Sequence, residues 1–343
     1  VAGASVQAQR TQDGRSEMIQ TSTSPVSTPI ASLSSKKAAL EKKPSLGRTL
    51  RQHWLLYLML VPSLILLLLF SYYPFLGIGI AFENFKASRG IMGSEWVGLD
   101  NFVRIFTMRD AWPLFRNTLV IAIGKIFIGT FVSLAFALML HELVVRSFKR
   151  IVQTMTTLPH FLSWVIIGGI MVQVLGTAGP LNSVLTSLFG GKAIKFLGDP
   201  AIFPWTIILS ETWKEFGFGA VIYLAALTSI NPELYEAAAV DGAGRMARLR
   251  FITLPGIISI VVLMACLNLG SILNAGFDQI LVLYNPLVYS TGDILDTWVY
   301  RIGLIQSDFS VSTAMGLVKS LIGFVLILLS YWMAGKFANY RIF

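Results

Sequence analysis

Residues 231–255, NPELYEAAAVDGAGRMARLRFITLP, place a polar stretch between two long apolar runs. Asn231 is positioned to cap a short helix, Pro232 suits its first turn, and Glu233 complements the positive end of its dipole. Gly242 lets the chain turn after that helix. A second short segment, Gly244 to Ile252, carries Arg245, Arg248 and Arg250, and Pro255 restarts an apolar helix. The stretch reads as a helix–turn–helix outside a membrane, with a patch of small residues (Ala237, Ala238, Ala239) that another protein can approach closely.

The rest of the chain fits a membrane setting. It has 343 residues, 55% hydrophobic and 13% charged, and a mean hydropathy of +0.69, far from a soluble domain. The single cysteine, Cys266, lies in an apolar run, which excludes an intrachain disulfide and a cysteine metal site and leaves packing as its simplest role. His53, His141 and His160 show no ligand spacing. The net charge of +9 is concentrated in the N-terminal tail and short loops, where a topology signal explains it better than nucleic acid does. No phosphate-binding GxxxxGK[ST] loop, nucleophile–base pair or metal-ligand spacing occurs. The chain is therefore expected to be non-catalytic, to carry no cofactor and to be unable to hydrolyse ATP.

Residues 1–52 are rich in Ser, Thr, Ala, Gln and Lys and read as a disordered cytoplasmic tail, with Lys36, Lys37, Lys42, Lys43, Arg48 and Arg51 near anionic lipid heads. The apolar run that follows is too long for a signal-peptide core and lacks a small-residue cleavage site, which favours a retained anchor. Six spans are expected over residues 53–343: Trp54–Tyr73, Leu119–Leu140, Val152–Leu175, Phe203–Ser229, Gly256–Phe277 and Thr313–Ala334. Short helices on the membrane surface are expected between the first two, a tight basic loop at Arg146–Arg150, and a loop over Gly176–Pro200. Gly168 and Gly169 would allow close helix contact. The Lys/Arg distribution favours both termini inside, together with the 231–255 stretch.

Charged side chains inside a span face a cavity or a partner. Glu211, Lys214, Glu215 and Phe218 fall at i, i+3, i+4 and i+7, one face of the fourth span. Asn268, Ser271, Asn274 and Asp278 cover roughly a third of the fifth span's circumference. Such stripes suit a path for a hydroxylated solute, with Trp213 or Phe218 to stack on a sugar ring. Against this stands a purely structural reading, in which Lys214 pairs with Glu211 or Glu215 along the helix. Alternatively, one carboxylate pairs with Lys125 or Lys319 and frees Lys214 for an anionic sugar. An ammonium left unpaired would be expensive, so some partner must exist.

Glu236-Ala237-Ala238, then three residues, Gly242, nine residues, Ile252, one residue and Leu254-Pro255 fill every fixed position of the EAA loop of bacterial ABC-importer permeases. The pieces GSEWVGLDNF, FKRIVQTMTTLPHFLSWV and YLAALTSINPELYEAAAVDGAG resemble the carbohydrate-importer subgroup, relatives of the maltose permease, that takes complex oligosaccharides including pectin- and alginate-derived ones. The resemblance implies an all-α, polytopic type I ABC-importer permease in the bacterial inner membrane. It implies docking on an ATPase through Glu236, Ala237, Ala238 and Gly242, and a substrate pathway through Glu211, Lys214, Glu215, Phe218, Asn268, Ser271 and Asn274. It also implies a second permease subunit, two ATP-binding subunits holding the ATP and Mg, and an extracytoplasmic solute-binding protein. The subgroup points towards acidic, uronide-type oligosaccharides. A permease for a peptide or amino acid is the neighbouring alternative. A channel or secondary transporter, which discontinuous helices would support, is the more distant one.

Overall fold

A computed structural model describes residues 53–337; the basic tail over 1–52 and the final residues, 338–343, lie outside the described residues. The chain divides at Leu66/Leu67 into two units. The first holds nearly all of α1 (Trp54–Leu67), which accommodates Pro62 and buries no residue. The helical path continues as a π turn, Leu68–Tyr72, and a 3-10 segment, Tyr73–Phe82, well past the expected end at Tyr73.

In the second unit a two-residue hairpin, β1 (Glu83–Asn84) and β2 (Glu95–Trp96), pairs Glu83 with Trp96 and Asn84 with Glu95. Then follow α2 (Asp100–Thr107), α3 (Ala111–Glu142), α4 (Arg146–Thr157), α5 (Trp164–Leu175), α6 (Pro180–Phe189) and α7 (Phe203–Thr228). The chain continues through α8 (Pro232–Val240), α9 (Arg245–Arg248), α10 (Leu254–Gly270), α11 (Phe277–Leu283), α12 (Leu295–Tyr300) and α13 (Phe309–Phe337). The pair α3 and α7 makes the most extensive helix contact, and α13 packs on α10 and α2.

Among the described residues, five helical segments are long and apolar enough to cross a membrane: Trp54–Phe82, Ala111–Glu142, Trp164–Phe189, Arg245–Gly270 and Phe309–Trp332. The 26-residue α7 has the length but carries Glu211, Lys214 and Glu215 in its middle. Several expected boundaries are corrected. The second span begins at Ala111 because Arg116, Asn117 and Thr118, polar residues suited to a loop, serve a neighbouring turn instead. Asn117 Nδ2 donates to the carbonyls of Ser290 (3.1 Å) and Asp293 (3.2 Å), and Leu295 N donates to Thr118 Oγ1 (3.1 Å).

The third span is not continuous from Val152. Arg146–Arg150 is no loop but the first turn of α4, and a 3-10 turn, Leu158–Phe161, separates α4 from α5. Pro159 lacks an N–H and disfavours helix before it, and Ser163 recaps the chain by accepting from Ile166 N. With 12 residues α5 is about 18 Å long, too short to span alone. The apolar path is completed by α6, which lies inside the stretch expected to be loop. Of the glycine pair, Gly168 is the one in close contact: a Cβ there would overlap Val282 of α11, whereas Gly169 faces open space.

Gly217 has the strongest steric requirement on α7, since a Cβ would overlap the backbone carbonyl of Thr156 in α4. Backbone cannot step aside as a side-chain tip can, so Gly217→Ala should destabilise by about 1–3 kcal/mol. Thermal unfolding of the detergent-solubilised protein should show this as a lower transition, while Gly169→Ala leaves the transition unchanged. Equal transitions for the two variants would contradict the packing.

Candidate functional site: a polar belt between two apolar cores

Two apolar clusters hold the ends of the α3–α7 pair. One includes Ile121, Ala122, Phe203 and Ile207; the other includes Ala137, Ala220, Tyr223, Leu227 and Ile257. Between them both helices turn polar. Lys125, Thr130 and Ser133 on α3 face Glu211, Thr212, Glu215 and Phe218 on α7 across a cavity of about 370 Å³, whose remaining wall includes Asn268, Ser271 and Asn274.

That wall is a broken helix. The fifth span was expected to run unbroken to Phe277, but α10 ends at Gly270. Ser271 is its C-cap, Asn274 lies in the irregular stretch that follows, and the exposed Asp278 sits on α11, off the cavity. Gly276, at φ +95°, closes the break in a left-handed conformation. A Cβ there would strike Lys125 Nζ. The ammonium takes that space because it satisfies the irregular backbone: Lys125 Nζ donates to Ala275 O (2.7 Å) and to Gln279 Oε1, and lies 3.6 Å from Glu211 Oε2. The fully buried Gln279 in turn donates from Nε2 to Ile207 O and Ser210 Oγ, both at 2.8 Å. One cation thus joins α3, α7, the break and α11.

The residues expected on the α7 wall part ways. Glu211, Glu215 and Phe218 line the cavity. Lys214, expected on the same wall, turns away; its side chain is 8% exposed. It donates to Glu215 Oε1 (2.7 Å) and to the carbonyl of His160 (3.0 Å), tying α7 to the turn between α4 and α5. Trp213 is exposed and does not line the cavity. His160, whose role the sequence did not disclose, brings Nδ1 to 2.6 Å from Glu215 Oε2 and stacks on Phe218 at 3.9 Å and 2°. The available signal was an imidazole beside a proline inside an apolar run. Lys319 pairs with Asp296 (2.6 Å) and Asn274 Oδ1 (2.9 Å), not with a carboxylate of α7.

Chemically, the cavity wall offers carboxylate and amide groups that bond hydroxyls, beside an aromatic–imidazole stack. Glu211 Oε2 sits at ion-pair distance from Lys125 but has no hydrogen-bond donor among the described residues. Two carboxylates are matched by two ammonium groups, so the lining is not strongly anionic.

The 231–255 stretch forms a second feature. Asn231 caps α8 through its side chain, which accepts from Glu233 N at 3.1 Å. Gly242, at φ +76°, ends it, and Ala243 N returns to Ala238 O at 2.8 Å. Tyr235 OH and Thr253 Oγ1, 3.0 Å apart, hold α8 against the base of α10. Glu236 and Ala237 are exposed and Ala238 half-buried, while Val240 and Met246 stand out at 89% and 74% exposure. Small and apolar side chains thus stand exposed beside the charged Glu236.

Residues 125–339 match the family described as "Binding-protein-dependent transport system inner membrane component". The chain belongs to this family of membrane permease subunits of ABC importers, whose members are non-catalytic. It is 42% identical over 303 residues to the "Polygalacturonan/rhamnogalacturonan transport system permease protein YteP" of Bacillus subtilis (strain 168), covering 88% of this chain and 94% of that one. It is 41% identical over 294 residues to "Protein LplB" of the same organism, covering 85% and 92%. Among solved structures it resembles a chain of a bacterial ABC transporter involved in the import of the acidic polysaccharide alginate. The TM-score is 0.77 at 35% identity, over 85% of this chain and 99% of that one. It also resembles a chain of the bacterial alginate transporter in complex with an alginate pentasaccharide-bound periplasmic protein, with a TM-score of 0.78 at 34% identity over 87% and 99%. The break after α10, a feature also of secondary transporters, does not displace this assignment.

Lys125→Met should destabilise the detergent-solubilised protein by on the order of 2–3 kcal/mol, less than the loss for a fully enclosed pair because Glu211 opens to the cavity. Adding Glu211→Gln should recover part of that loss. Strict additivity of the two substitutions in unfolding measurements would show that the pair is not coupled.

Proposed function

We propose that this chain forms one half of the translocation pathway of an ABC importer for oligosaccharides of acidic, uronide-containing type. The observation that carries the reading is the mid-molecule cavity, with Glu211, Glu215, Asn268, Ser271 and Asn274 for hydroxyls and Phe218 for a ring face. The names of the relatives, which specify polygalacturonan/rhamnogalacturonan and alginate, support an acidic substrate. The ion pairs Lys125–Glu211 and Lys214–Glu215 are compatible with one, because the carboxylates of the wall are already compensated.

In this reading the chain sits in the bacterial cytoplasmic membrane with six spans, α7 being the one whose charges face the pathway, and with both termini cytoplasmic. A second permease supplies the other half of the path, and an extracytoplasmic binding protein delivers the sugar. Two ATP-binding subunits hold ATP and Mg. They engage α8 and α9, where Glu236 meets a basic group and Ala237 and Ala238 permit close approach.

Reconstituted with these partners, the wild-type complex should import oligogalacturonides or oligoalginates with substrate-stimulated ATP hydrolysis. Gly242→Val forces a β-branched residue into a left-handed turn, a strain of about 1–3 kcal/mol. Membrane insertion should survive, while ATPase co-purification and stimulation are lost. Normal stimulation in that variant would remove the coupling role. For topology, a reporter fused after Phe343 should read cytoplasmic and one inserted near Gly191 external; the reverse at either site would reject the six-span arrangement.

A further inference from the structure

Asn274 lines a second cavity as well as the central one. This groove, about 740 Å³, lies between α12, the Arg301–Ile305 turn and α13, and its walls include Phe277, Asp296, Tyr300, Thr313 and Lys319. It is larger than the central cavity, and a single side chain bounds both.

Its polar groups are half-used. Lys319 Nζ donates to Asn274 Oδ1 at 2.9 Å and to Asp296 Oδ1 at 2.6 Å. An ammonium has three N–H donors, and the third has no acceptor among the described residues. Asp296 Oδ2 likewise has no donor there. The Lys319 and Asp296 side chains are 19% and 24% exposed, so neither is sealed off. Lys125 is more enclosed: its side chain is 11% exposed, and beyond its two hydrogen bonds it lies 3.6 Å from Glu211 Oε2. Beside the Lys319–Asp296 pair, the rings of Tyr300 and Phe277 lie 5.7 Å apart and inclined at 59°. The Tyr300 hydroxyl makes no hydrogen bond within the described residues.

A free cationic donor beside a free carboxylate acceptor matches two neighbouring hydroxyls of a pyranose: one accepts from the ammonium and the other donates to the carboxylate. The aromatic pair offers the apolar surface that the C–H face of the same ring needs. We propose that this groove is a second saccharide subsite, continuous with the central cavity through Asn274, which takes one pyranose ring of a longer chain by its vicinal hydroxyls. The proposal rests on the oligosaccharide reading above but not on the sugar's charge, because an existing Lys–Asp pair favours hydroxyls over an added carboxylate. Its consequence is selection by length. A disaccharide fills the central cavity, whereas a tetrasaccharide engages both.

The test uses the complete reconstituted complex and the di- and tetrasaccharide of one series, delivered by the binding protein. Tyr300→Ala and Phe277→Ala, which alter only the groove's aromatic pair, should each reduce tetrasaccharide uptake about tenfold, the effect of one lost good contact, with disaccharide uptake within about twofold of wild type. Tyr300→Phe keeps the ring and should restore tetrasaccharide uptake. Equal loss at both lengths together with reduced recovery of the second permease would make the groove a subunit seat and overturn the proposal. Unchanged tetrasaccharide uptake in both variants would also overturn it. A wild-type complex that imports neither length would remove the oligosaccharide reading itself, and the subsite with it.

Discussion

A lysine ammonium inside an apolar helix bundle must find partners, and the arrangement around the cavity follows from how Lys125 does so. Its contacts reach Ala275 O, Gln279 and Glu211, and Gln279 passes the network on to Ile207 O and Ser210. The dependence is mutual. Backbone that leaves helical geometry at membrane depth is tolerated where protein groups or a cavity satisfy it, and the break at Ser271–Gly276 is satisfied in part by the cation. Without Lys125 the carbonyl of Ala275 and one oxygen of Glu211 lose their charged neighbour together. Without the break, Lys125 would face a helix whose carbonyls are already engaged.

The same economy of groups shapes α7. At about 100° per residue, Lys214 and Glu215 project from adjacent faces of the helix. The cation goes to the α4–α5 turn, and the carboxylate goes to the cavity while keeping contact with both Lys214 and His160. Gly217 lets the end of α4, just before that turn, approach α7 closely. Apolar clusters above and below keep the polar belt in place. The cavity therefore lies between the two clusters, with each of its carboxylates paired to an ammonium group.

Much of this was legible in the sequence where the determinants are local. Asn231, Pro232 and Gly242 announced the capped helix and its turn because capping and positive φ depend on a few neighbouring residues. The length of α7 followed from its sequence, and helical period gave a stripe of Glu211, Lys214, Glu215 and Phe218, of which Lys214 leaves the cavity wall. The breaks did not. Hydropathy runs on smoothly through Pro159 and through Gly270–Gly276, so both were absorbed into continuous spans, and α6 was hidden among glycines that resemble a loop. Partners distant in sequence were equally hidden. Lys125 meets Gln279 across 154 residues, and His160 meets Glu215 across 55. No periodicity links such positions; only the packed helices bring them together.

In the proposed pathway sugar passes along the wall formed by the end of α10 and the break that follows. Thiol labelling tests it directly, because Cys266 is the only cysteine and is buried. In a Cys266→Ser background within the full complex, Asn268→Cys, Ser271→Cys and Asn274→Cys should react with a small water-soluble thiol reagent. Substrate-loaded binding protein and ATP should protect all three, while Trp213→Cys, off the cavity, labels equally with and without substrate. Protection at Trp213→Cys, or none at the three cavity positions, would contradict the assignment of this cavity as the pathway.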